Sequence, residues 1–134
     1  SNTTCTYSYY NNADFTASNQ LVNGNFRVFA YKSGDSISCG PSVTLYFKTS
    51  LSHTTLDISS KQIAAGQITA YYLICPCCDY FAAVYSPPIG GEIKGKRTDS
   101  NHWLINASII FGNPSNTPID TVTVNQYFTL EKLP

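Results

Sequence analysis

Charge is what this sequence has least of. Only 12% of its 134 residues are Asp, Glu, Lys or Arg, about half the usual share in a soluble protein. Eight basic residues balance eight acidic ones. Without a net field, electrostatic capture of nucleic acid or of an anionic membrane is excluded as a leading role. Long apolar runs are missing too. The longest, near Ala70 to Cys75, falls far short of the roughly 18 residues of a membrane-spanning helix and is followed by Pro76. No membrane span is therefore expected. Methionine is absent, and the chain opens at Ser1, which reads as a processed or trimmed form. Histidine occurs twice and tryptophan once. Acid–base or nucleophilic catalysis needs positioned groups of that kind. The eight carboxylates are scattered singly, so no enzyme is expected, and no catalytic residue or cofactor is assigned.

What fills the space is uncharged. Hydrophobic residues make up 43%, which argues against disorder. Ser, Thr and Asn together supply 40 residues, and Tyr adds ten. The length suits one domain with one substantial core.

The five cysteines are Cys5, Cys39, Cys75, Cys77 and Cys78. That density in a short chain points to an oxidising compartment and to structural disulfides. An odd count leaves one thiol free or linked to another chain, and the pairing is open. Cys75 to Cys78 has C-x-x-C spacing but follows a strand-like run, without a helix N-terminus to lower a thiol pKa. A zinc site wants ligands in paired spacing, and Cys5, Cys39, His53 and His102 are unpaired. No metal is expected. Sequons at Asn2 and Asn106 fit secretion or display on a cell or virion surface.

Apolar alternation with period two recurs along the chain. It runs through Asn25 to Lys32, Val43 to Lys48, Leu56 to Ile58, Gln67 to Cys75, Tyr80 to Tyr85, His102 to Phe111 and Ile119 to Leu133. Gln67 to Cys75 is apolar on both faces and reads as central, while Ile89 to Lys96, with three glycines, reads as weak. Turn signals separate these runs, and no long 3.6-residue period appears. The spacing predicts an all-β chain of seven to nine strands, an antiparallel two-sheet sandwich of immunoglobulin-like or jelly-roll type. Residues 1–20 read as a polar N-terminal arm or edge strand, and residues 21–134 as the sandwich domain.

Ten tyrosines cannot all be core. Outward rings offer contact area at low entropy cost. Trp103, His102, Tyr71 and Tyr85 are the candidate binding residues. The Lys94-Gly95-Lys96-Arg97 run reads as a solvated hairpin tip rather than an anion grip. The expected role is a non-enzymatic extracellular structural or adhesive module, a subunit of a pilus-like filament, coat or virion surface joined by strand pairing or tyrosine-rich surfaces. The expected partner is a second copy or another extracellular protein. The alternative is a monomeric sandwich that binds a carbohydrate (glycan) or receptor.

Overall fold

The structure is a computed structural model that describes residues 3–35, 41–73 and 86–134. It is all-β. Nine strands are described: β1 (Thr3–Phe15), β2 (Leu21–Asn23), β3 (Phe26–Asp35), β4 (Ser42–Ser50), β5 (Thr55–Ile58), β6 (Thr69–Leu73), β7 (Pro88–Asp99), β8 (His102–Gly112) and β9 (Pro118–Glu131). One short helix, α1 (Ser60–Ala64), lies between β5 and β6. Ser59 starts it through a capping box: its hydroxyl accepts from the Gln62 N–H, and the Gln62 side chain accepts from the Ser59 N–H.

The strands form one hydrogen-bonded sheet in the order β5-β7-β8-β9-β1-β3-β4-β6, with β2 attached to β1. The ladders are antiparallel except one. β1 and β9 run parallel, paired only as Ser8–Thr129, Tyr9–Leu130 and Tyr10–Glu131. The sheet is therefore mixed, where a purely antiparallel arrangement was expected. Residues 3–15, read from sequence as an arm or edge, form β1 in the middle of this order.

Aromatic contacts show that the sheet folds over on itself. Phe29 on β3 stacks on Phe47 at 5.3 Å and meets Trp103 on β8 edge-on at 5.1 Å. Phe47 on β4 meets Phe128 on β9 at 6.1 Å, and Tyr72 on β6 meets Phe111 on β8 at 4.9 Å. Apart from Phe29 and Phe47, on neighbouring strands, these partners stand three to five places apart in the strand order, so two halves of one sheet face each other across a common core. Phe29 is its hub, since Tyr9 and Phe128 also pack against it. Such ring pairs favour the offset and edge-on geometries seen here.

A second, smaller cluster lies on the outer face of β1, β3 and β4. Ala13, Val28, Ala30 and Tyr46 are buried there beneath Tyr10, Phe15, Leu21, Phe26 and Leu133. A bulge links the two clusters. Between Tyr10 and Ala13 the β1–β3 register shifts, with Asn12 at φ 54°. The extra residue returns Ala13 to the outer cluster while Asn11 accepts a hydrogen bond from Arg27 Nε.

Two strands differ from their sequence reading. The Ile89 to Lys96 segment is part of β7, twelve residues long and paired with β8 almost throughout. Its glycines answer to β8. A Cβ on Gly91 (φ 123°) would lie 1.9 Å from the Ser108 carbonyl oxygen, and one on Gly95 would lie 2.5 Å from Ile105 Cδ1. β6, read as central, ends the strand path and pairs with β4 alone among the described residues. The Tyr80 to Tyr85 segment lies outside the described residues.

Two substitutions test this packing by urea unfolding. Phe29→Ala is expected to cost about 3–5 kcal/mol, the usual range for truncating a buried phenylalanine. Gly91→Ala is expected to cost at least about 2 kcal/mol, because it combines a backbone collision with a strained φ. A loss below about 1 kcal/mol in either would contradict the assignment.

Candidate functional site

The side chains singled out in the sequence do not converge. Trp103 is fully buried in the main core, its ring covered by Phe29 and by the Arg27 guanidinium at 5.2 Å. It presents no face to solvent. His102 is the next residue along β8 and so points to the other side. Its Nδ1 lies 2.9 Å from Asp99 Oδ1 in an exposed pair. Backbone donation from Asn101, and then the His102 contact, hold the Asp99 carboxyl below the usual carboxylate range. Tyr71 is exposed on β6, at the far end of the strand order. Tyr85 lies outside the described residues, as do Asn2, Cys39, Cys75, Cys77 and Cys78. Cys5 is exposed on β1 with a free thiol, so the described residues contain no disulfide. Asn106 is exposed in the middle of β8, opposite Asn125 of β9. Among the described residues no cluster of three or more His, Cys, Asp or Glu is placed to hold a metal ion.

The feature that sequence reasoning missed is an edge. β9 pairs with β8 from Pro118 to Thr129, but with β1 only from Thr129 to Glu131. From Pro118 to Phe128 its other side has no strand partner among the described residues. Residues 3–7 of β1 likewise pair with β3 alone among the described residues. The two parallel strands thus diverge from a shared junction, and each leaves one side of its backbone without a strand partner among the described residues.

Edge strands in soluble proteins are usually blunted by lysine, proline, bulges or shortness. β9 is bulged at Ile119, where its register against β8 shifts, and uses none of these from Asp120 to Phe128. The run Asp-Thr-Val-Thr-Val-Asn-Gln-Tyr-Phe has one charge, Asp120, and its register against β8 is regular there. Ile119 and Tyr127 are exposed at 43% and 53%. Thr121, Thr123 and Asn125 are exposed between them. Threonine, valine and tyrosine suit a pleated, half-buried surface.

The start of this edge is pinned across the core. The Tyr72 hydroxyl donates to Asp120 Oδ2. Burial, reinforced by the Asp120 carboxylate, pushes Tyr72 up to about 12. Tyr7, beside Phe128, is also pushed up to about 12, by burial first and then by Cys5.

No family model, curated protein or solved structure matches the chain.

The tyrosines make stability sensitive to alkali. A raised folded-state pKa means the folded protein holds the proton more tightly than the unfolded chain. This contribution is complete below about pH 10, the ordinary tyrosine value, and is lost as pH rises towards about 12. Tyr72→Phe is expected to cost about 1 kcal/mol at pH 7 through the lost hydrogen bond. It should also flatten, without abolishing, the alkaline fall, because Tyr7 titrates in the same window. Urea titrations from pH 7 to pH 11.5 check both effects. An unchanged alkaline slope would contradict the Tyr72 assignment.

Proposed function

We propose that this protein is a non-enzymatic extracellular β module that works by joining copies of itself, or another extracellular protein, through strand pairing. The observation that carries the reading is the edge of β9 from Asp120 to Phe128, regular, nearly uncharged and without a strand partner among the described residues. Added strands gain main-chain hydrogen bonds from such an edge, while alternate side chains supply specificity. β1 offers a second open run at residues 3–7. Pairing β9 of one copy with β9 of another gives a closed two-fold dimer. Pairing β9 with β1 of the next copy is head-to-tail and propagates into a filament or coat. In this reading the two facing halves of the folded sheet serve as the layers of an immunoglobulin-like or jelly-roll sandwich, with the open edges at its side.

The composition supports the same role. A surface of threonine, asparagine and tyrosine sets little charge repulsion against self-association. The cysteine content and the sequon at Asn106 support secretion or display on a cell or virion surface.

Native mass over a range of concentrations tests the proposal. The wild-type chain is expected to populate dimers or larger species at tens of micromolar. The double variant Thr121→Lys/Asn125→Lys is expected to be monomeric, with stability within about 0.5 kcal/mol of wild type because both positions are exposed. A wild-type monomer of 14.7 kDa throughout would overturn the reading, as would an assembly that the two lysines leave intact.

A further inference from the structure

The opening between β1 and β9 has two sides and a floor. Both strands run the same way, and both open runs lie before the junction: residues 3–7 on β1 and Asp120 to Phe128 on β9. The inward side chains emerge as the strands separate. On β1, Tyr9 is buried, Tyr7 half-buried and Cys5 exposed. On β9, Phe128 and Val124 are buried and Val122 is half-buried, while Gln126 and Asp120, on the same side, are exposed. Tyr7 and Val122 pack against the main core without being enclosed by it. Tyr7 meets the Phe128 ring at 5.6 Å at the apex of the opening. The main core therefore reaches solvent along this line.

We propose that the opening takes one extended segment of a partner polypeptide, inserted antiparallel to both strands, with apolar residues at alternate positions and a lysine or arginine at its C-terminal end. The direction follows from the junction. Because β1 and β9 are parallel, one segment is antiparallel to both at once, which gives each side the stronger ladder. Near the junction the segment has β1 on one side and β9 on the other, and farther out it follows β9. The partner must then be free on both of its own sides. An edge strand of a second folded copy is already paired on one side and offers only the other, so the occupant is an unpaired tail or linker, held by strand addition.

The side chains follow from the floor and the charge. Alternate residues of the segment face Tyr7, Val124 and Val122, which suits small apolar side chains. Along the two open runs the only charge is Asp120. It stands at the start of β9, opposite the C-terminal end of an antiparallel segment, and there it favours a cation. This site shares the β9 edge with the strand-pairing role and rests on that reading.

The test is calorimetry and NMR amide exchange on the full chain with the octapeptide acetyl-Ser-Val-Thr-Val-Ser-Val-Thr-Lys-amide. Set antiparallel with its lysine opposite Asp120, its valines fall opposite Val122, Val124 and Gln126. Saturable binding is expected with Kd about 100 µM or tighter, with slowed exchange both in residues 3–7 and from Asp120 to Phe128. Proline at the middle valine removes a main-chain donor and is expected to weaken binding at least about tenfold. Glutamate in place of the lysine is also expected to weaken it. Asp120→Asn, which keeps an oxygen for the Tyr72 hydroxyl, should bring the lysine and glutamate peptides within about twofold of each other. Absence of binding overturns the proposal, as does slowed exchange on β9 that leaves residues 3–7 unchanged. Native mass separates this result from the strand-pairing role. A chain that assembles but ignores the peptide loses the inserted segment and keeps self-pairing, whereas a monomer that binds the peptide does the reverse.

Discussion

Everything in this fold hangs on a ladder of three residue pairs. Among the described residues, Ser8–Thr129, Tyr9–Leu130 and Tyr10–Glu131 are the only strand pairing between the β5-β7-β8-β9 half of the sheet and the β1-β3-β4-β6 half. A short parallel ladder is weak by itself. It holds because the core on one side of it is aromatic and continuous. Tyr9 packs on Phe29, and Phe29 touches Trp103 and Phe128 of the other half. The Leu130 N–H also donates to the Asn101 carbonyl at 2.9 Å, tying the end of β9 to the turn before β8. Because the ladder is short, each strand continues past it with no strand on that side among the described residues. The open edge of β9 is the same fact seen from outside.

Scarce charge shapes how the polar groups are used. Arg27 is buried, and among the described residues no carboxylate pairs with it. It donates instead to Asn11 Oδ1 at 2.9 Å and to the His53 carbonyl at 3.0 Å, and it lies over the Trp103 ring. Burial accordingly lowers its pKa from the usual arginine value. Lys48 is treated similarly. It meets Asp14 at 2.8 Å, but its ammonium also sits over Phe26 at 4.2 Å and Phe15 at 4.9 Å. Cations here end the two apolar clusters by lying on ring faces, which stabilises them without a large complement of acids.

How far the sequence could be read depended on where the cause of each feature lay. β8 was fully legible. Trp103, Ile105, Ala107, Ile109 and Phe111 alternate inward and all are buried, because a period of two is a local property. β7 was not, because Gly91 and Gly95 make room for Ser108 and Ile105 of a different strand. β1 was obscured by its bulge, which shifts the alternation at Asn12, and by inward positions filled with tyrosine rather than aliphatic residues. β6 was read as central from its apolar residues, yet it ends the strand path, because position in a sheet is set by partners and not by the strand's own composition. The β9 edge was hidden for a further reason. Its residues were recognised as a strand, but an edge is defined by the partner a strand lacks.

The parallel junction also has a mechanical meaning. Because β1 and β9 run the same way, a pull that draws Thr3 away from Glu131 acts along both strands in opposite directions. The three pairs are then loaded together, in shear, rather than peeled one after another. The same pull drags Tyr9 along the face of Phe29 and Phe128 along that of Phe47, so the ring contacts resist it too. A hairpin such as β7–β8, held at its open ends, would unzip pair by pair under equal force. The chain's first and last strands are thus arranged so that tension between them meets the ladder and the aromatic core at once.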